Sequence, residues 1–152
     1  MTALAKTSRS GPRRLSFAPR FWSGVLAVAL LAVLFASAWM TPSARGHGTH
    51  EQLGLVACSW VQLTGKPCPT CGMTTAFAHA AHADLLSAAR TQPMGALLSL
   101  VTAAGFWIAL HAAVFGSRVG SVVSGIMKPW VWWLLGAALV GSWLYKMAVW
   151  QG

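Results

Sequence analysis

Three long runs almost free of charge constrain this chain more than any other feature. Phe21 to Met40 gives twenty residues without a charged side chain, which matches the roughly 20 residues a helix needs to cross a bilayer. Met94 to Phe115 is a second such run, with His111 as its one ionisable group, and Trp130 to Trp150 is a third, with Lys146 inside it. The chain is 56% hydrophobic and 9% charged, against about 25% charged in ordinary soluble domains. The expected class is therefore an all-α integral membrane protein with three transmembrane helices, at about 21–40, 94–115 and 130–150, forming one membrane domain over 21–152.

The formal net charge of +9 would suggest nucleic acid in another setting. Five of the eleven basic residues, Lys6, Arg9, Arg13, Arg14 and Arg20, instead crowd into the first twenty positions directly before an apolar run. That arrangement orients a membrane helix and meets anionic headgroups, so the lipid bilayer, not nucleic acid, is the partner it implies, and a second membrane protein is the other candidate. Residues 1–20, rich in Ser, Pro and Arg, read as a disordered basic tail. A rival reading makes the first run a secretory signal cleaved after Ala38, within Ala36-Ser37-Ala38. The run is longer than the usual 7 to 15 residue signal core, which favours a retained helix.

With three spans, the tail and the loop holding Arg118 and Lys128 share one side. The distribution of Lys and Arg makes that side cytoplasmic and places segment 41–93 outside. The localisation implied is a bacterial cytoplasmic membrane, multi-pass, with the N-terminus inside. Trp130, Trp132 and Trp133 at one end of the third run, and Trp143, Tyr145 and Trp150 at the other, fit an aromatic belt at each interface, with Lys146 snorkelling outward. Gly95, Ala103, Gly105, Gly136, Ala137 and Gly141 are the positions at which helices could approach closely. His111 reads as a helix-packing or interfacial histidine.

Segment 41–93 holds the chemistry. A short helix over Ala57 to Thr64 carries Cys58, and Gly65 is placed to cap it. Beyond it comes Lys66-Pro67-Cys68-Pro69-Thr70-Cys71-Gly72-Met73-Thr74-Thr75-Ala76. If Pro69 is the first helical residue, a helix runs to about Ala83 with both sulfurs in or at its first turn, where unpaired N–H groups and the dipole favour a Cys68 thiolate. Asp84 would cap a second short helix ending near Thr91, and Gln92-Pro93 would break it. The expectation is a short interfacial helical hairpin carrying a C-x2-C motif; the competing reading, a fourth span over Gly72 to Ala89, must bury His79, His82 and Asp84. On a continuous helix Cys68, Cys71, Thr75, His79 and His82 share a face within about 80°. That face is either a polar lane leading from the thiols or simply the water-facing side of the helix.

Cys68 and Cys71 could form a reversible redox pair, or be structural thiols in a membrane scaffold or assembly subunit. A zinc site is the third reading, with Cys58, Cys68 and Cys71 joined by His47 or His50 from Arg45-Gly46-His47-Gly48-Thr49-His50, since three cysteines and one histidine are a zinc ligand set. In the pattern C-x9-C-x2-C only the second spacing is typical of zinc. No other cofactor is implied, zinc is the one metal the residues suggest, and the question of catalysis stays open with the balance toward a non-enzyme.

The stretch from Cys58 to Leu100, with Leu63-Thr64-Gly65, Pro67-Cys68-Pro69-Thr70-Cys71-Gly72-Met73-Thr74 and Gln92-Pro93, resembles the bacterial membrane-protein family catalogued as domain of unknown function 2752. Its hallmark is a TG-x-P-C-P-x-C-G-x-T-R-A run, then an Asp-capped segment and an Asn-Pro before a spanning helix. Thr75 stands where that family usually has arginine, and Gln92 where it usually has asparagine. The resemblance implies a multi-helix membrane protein and no particular activity.

Overall fold

The computed structural model of the chain describes residues 15–117, 125 and 128–150. All regular structure among them is helical: six α-helices and one 3-10 turn at Thr49–Leu53. The helices are α1 (Phe17–Trp39), α2 (Ser59–Thr64), α3 (Met73–Ala81), α4 (Leu85–Thr91), α5 (Pro93–Phe115) and α6 (Pro129–Ala148). Most of the expected basic tail, residues 1–14, and most of the loop with Arg118 lie outside the described residues.

Helices α1 and α5, 23 residues each, are long and apolar enough to cross a membrane, and only 11% and 17% of their most apolar stretches is buried inside the chain. A core helix of a water-soluble protein hides its apolar stripe. Here Leu26, Val28, Phe35, Leu100, Val101 and Trp107 stay open. The two helices run antiparallel: Gly24 faces Ala113, and Gly105 faces Leu30. Leu15 donates its N–H to the Gly116 carbonyl at 2.9 Å, tying the start of α1 to the end of α5.

Among the described residues two helices, not three, are candidate spans. Helix α6 has 20 residues, which is enough length, but four tryptophans, Ser142, Tyr145 and Lys146 keep it below the apolar character of α1 and α5. The tail boundary also moves, because α1 begins at Phe17 and takes in Arg20. The Arg20 guanidinium donates to the carbonyls of Ala113 at 3.1 Å and Val114 at 2.9 Å. These are end-of-helix carbonyls without intrahelical partners, so a cation there is favoured twice over.

No single helix crosses Gly72 to Ala89. The chain turns at His82 to Asp84, where Ala83 takes φ 62°, and Asp84 caps α4 by accepting from the Ser87 N–H at 3.0 Å. Hydrogen bonding to the charged form, first from the Ser87 side chain and backbone and then helped by His79, holds the Asp84 carboxyl below its ordinary value. Pro93 opens α5 as its first residue. Ala76, Ala88 and Ala96, with Ala80 against them, form a small alanine core where α3, α4 and α5 meet. A Cβ on Gly95 would come within 2.9 Å of the Ala76 Cβ, so Gly95 allows the approach its residue type suggests. Among the described residues, Gly136 and Gly141 meet nothing within 4 Å.

Candidate metal centre

The loop before α3 is made by Gly72, not by Pro69. Gly72 takes φ 86° and caps α3, a left-handed conformation that a side chain rarely tolerates. A Cβ there would also lie 2.7 Å from the Gly46 carbonyl oxygen. The helix therefore runs only from Met73 to Ala81, six residues fewer than from Pro69 to Ala83, so it carries neither Cys68 nor Cys71, and the cysteines lie in the preceding turn. That turn is closed by Cys71 N–H to Cys68 O at 3.0 Å and Met73 N–H to Thr70 O at 3.1 Å.

The expected lane from the thiols to His82 does not form. Thr75 is fully buried, its hydroxyl 2.8 Å from that of Thr49, which also accepts the Ser43 N–H at 3.1 Å. His79 pairs with Asp84 at 3.5 Å. His82 bonds the Ala78 carbonyl at 2.8 Å through Nδ1. His111 bonds Ser117 Oγ at 2.8 Å and lies against Phe115 at the end of α5, away from the cysteines.

Three sulfurs come together instead. Cys58 precedes α2, whose αL cap at Gly65 is as the sequence suggests, and its Sγ lies 3.7 Å from that of Cys68. With Cys71 the three Sγ atoms all fall within 4.8 Å of one another. All three are free thiols, Cys71 buried and the other two partly exposed. Burial works against the Cys68 thiolate, but hydrogen bonds from Thr70, Cys71 and Cys58 outweigh it and bring the pKa below the ordinary thiol value. Burial, then the neighbouring Cys68, pushes Cys71 up to about 12. The lowered Cys68 was expected from a helix dipole; with α3 starting only at Met73, the cause is local hydrogen bonding, including a 3.4 Å contact to Thr70 Oγ1.

In front of the sulfurs opens a cavity of about 530 Å³ that Arg45, His47, His50 and Glu51 also line. Neither histidine is a member of the three-sulfur cluster. The His47 ring is held by its Nδ1 at 2.9 Å from the Arg45 carbonyl and lies 4.6 Å from the Trp150 ring. His50 uses Nε2 toward the Val56 carbonyl at 3.3 Å. Arg45 and Glu51 pair at 3.2 Å beside them.

Residues far along the chain fix the cysteine loop, and these have no motif to announce them. Gln92, fully buried, donates Nε2 to the Pro69 carbonyl at 3.1 Å, while its Oε1 finds no partner among the described residues. Trp143 donates its indole N–H to the Pro67 carbonyl and Trp150 to the Gly65 carbonyl, both at 3.0 Å. Tyr145 donates to the Arg90 carbonyl at 2.9 Å, and Met94 N–H donates to Ser142 Oγ at 3.1 Å. Of the aromatics expected as an interfacial belt, Trp143 and Trp150 thus work as donors to the loop and Tyr145 as a donor to α4. Lys146 does not snorkel outward: it is buried, with Nζ donating to Gly46 O at 3.0 Å and Thr91 O at 3.2 Å.

No curated protein and no solved structure matches this chain. Residues 58–106, from the first cysteine of the cluster to the middle of α5, match the family described as Protein of unknown function (DUF2752).

Proposed function

We propose that this is a multi-pass cell-membrane protein, N-terminus inside, that holds a zinc ion on Cys58, Cys68 and Cys71 at the outer surface. The observation that carries the reading is the arrival of Cys58 beside the other two. A redox pair needs only the two cysteines of the C-x2-C motif, whereas a metal centre needs a third and fourth donor. With Zn–S bonds of about 2.3 Å, the sulfurs of a tetrahedral site lie about 3.8 Å apart. The Cys58–Cys68 separation of 3.7 Å fits that edge, and it is far from the roughly 2.05 Å of a disulfide. Thiolates are the ligands zinc takes, and binding would deprotonate Cys71.

His47 is the favoured fourth ligand. Its Nδ1 lies against a backbone carbonyl, the partner that fixes the tautomer of a metal-binding histidine and leaves Nε2 as the donor. His47 lines the same cavity as the three sulfurs. Zinc would act here as a cross-link between α2, the cysteine loop and the loop after α1.

Protein purified from membranes without reductant should carry about one zinc per chain. Its thiols should become reactive only on adding a chelator, and Cys58→Ser should abolish retention as fully as Cys68→Ser. The second reading, a redox dithiol, is favoured by the contrast between the lowered Cys68 and the raised Cys71. Metal-free protein with a Cys68–Cys71 disulfide, unaffected by Cys58→Ser, would establish it and exclude zinc.

A further inference from the structure

A second cavity, also about 530 Å³, opens on the other side of segment 43–46, where Arg45, His79, Arg90 and Lys146 face it with the hydroxyls of Ser43 and Ser87. The whole chain has only two acidic residues, Glu51 and Asp84. Glu51 is engaged by Arg45 and Asp84 by His79, and neither lines this cavity. Among the described residues, Arg90 and Lys146 therefore have no carboxylate to answer them. Lys146 is only 6% exposed. An ammonium has three N–H donors, two are spent on Gly46 O and Thr91 O, and neutral carbonyls do not compensate a buried charge as an anion does.

We infer that this cavity is a phosphate-binding site, with the third Lys146 donor, the Arg90 guanidinium and the Ser43 hydroxyl as its contacts. Guanidinium and hydroxyl donors converging on one space suit the several acceptor oxygens of a phosphate group. The location names the source. Ser43 lies four residues after the end of α1 at Trp39, and Arg90, in the last turn of α4, lies three residues before α5 begins at Pro93, so the cavity lies at the level where two apolar helices end and headgroups begin. The ligand is the phosphodiester of an anionic phospholipid, with soluble phosphate as the alternative source of the same chemistry. The site does not depend on a metal at the thiols.

The full chain in neutral detergent can be titrated with short-chain phosphatidylglycerol and, separately, with inorganic phosphate, before and after chelator. Binding of the lipid, weakened roughly tenfold in Arg90→Gln and also in Ser43→Ala, is the expected result. Arg90 is exposed at the end of α4, so its replacement leaves the fold intact even if Lys146→Met does not fold. Equal binding of inorganic phosphate with the same sensitivity to Arg90→Gln would keep the site and assign it to the soluble anion. Lipid binding that Arg90→Gln leaves unchanged would place the lipid on the N-terminal basic residues or the apolar belt and overturn the proposal, as would no binding of either ligand.

Discussion

Cys68 and Cys71 differ in environment by more than their two-residue spacing suggests. Cys68 is partly exposed and surrounded by hydrogen-bonding groups that favour its thiolate, whereas Cys71 is buried and pushed up to about 12. A lowered pKa means more thiolate at any given pH below it, and the thiolate is the species that alkylates. In metal-free, reduced protein, Cys68 should therefore react with iodoacetamide from a lower pH than a free cysteine. Cys71 should remain almost unmodified until strongly alkaline pH. Mass mapping of the modified peptide across a pH series checks this, and equal labelling of both at neutral pH would contradict it. Thr75, by contrast, has left chemistry altogether. Where the resembled family usually has an arginine, this chain buries a small hydroxyl completely against Thr49, a place with no room for a guanidinium.

At the scale of elements, α6 is the part whose role the sequence least reveals. Its composition reads as another span, but its C-terminal end acts as a row of donors, with Trp143, Tyr145, Lys146 and Trp150 each bonded to a backbone carbonyl of another segment. Such bonds join residues up to a hundred positions apart and leave no periodic trace. The local features were legible: the Gly65 cap, the Asp84 cap and the Pro93 start all follow from residue type and offset. The start of α3 was not, because Pro69 and Gly72 both offer plausible boundaries and the close approach of the Gly46 carbonyl decides for glycine. Trp143→Phe keeps an aromatic ring but removes the N–H donor to Pro67 O together with part of the indole. Loss of one such bond costs about 1 kcal/mol, and if the loop opens before its thiols react, Cys68 alkylation should speed up about fivefold. Stopped-flow labelling of the two proteins measures it; identical rates would mean that α6 does not restrain the loop.

For the molecule as a whole, the pairing of α1 with α5 links topology to chemistry. Leu15 and Arg20 meet the Gly116 end of α5, so the start of α1 and the end of α5 belong to one end. The thiol cluster and the cationic cavity belong to the other, beyond Trp39 and before Pro93. This ordering was legible from the first and second apolar runs alone, and it survives the loss of the third as a span. Seven of the eleven Lys and Arg residues, Lys6, Arg9, Arg13, Arg14, Arg20, Arg118 and Lys128, lie before α1, at its start or between α5 and α6 in the sequence, and if the two apolar helices cross a membrane the bias of such residues toward the cytoplasm predicts an inward N-terminus. In intact cells treated with a chelator, a membrane-impermeant maleimide should then label Cys58 and Cys68, the two partly exposed thiols, without permeabilisation. A reporter inserted between Arg118 and Lys128 should read as cytoplasmic in the same cells. Replacing Arg13 and Arg14 with Gln should mix the two orientations, while Arg20→Gln should also loosen α1 from α5 through the lost Ala113 and Val114 bonds. Labelling that appears only after permeabilisation, with the reporter outside, would invert the topology and move both candidate sites to the cytoplasmic face.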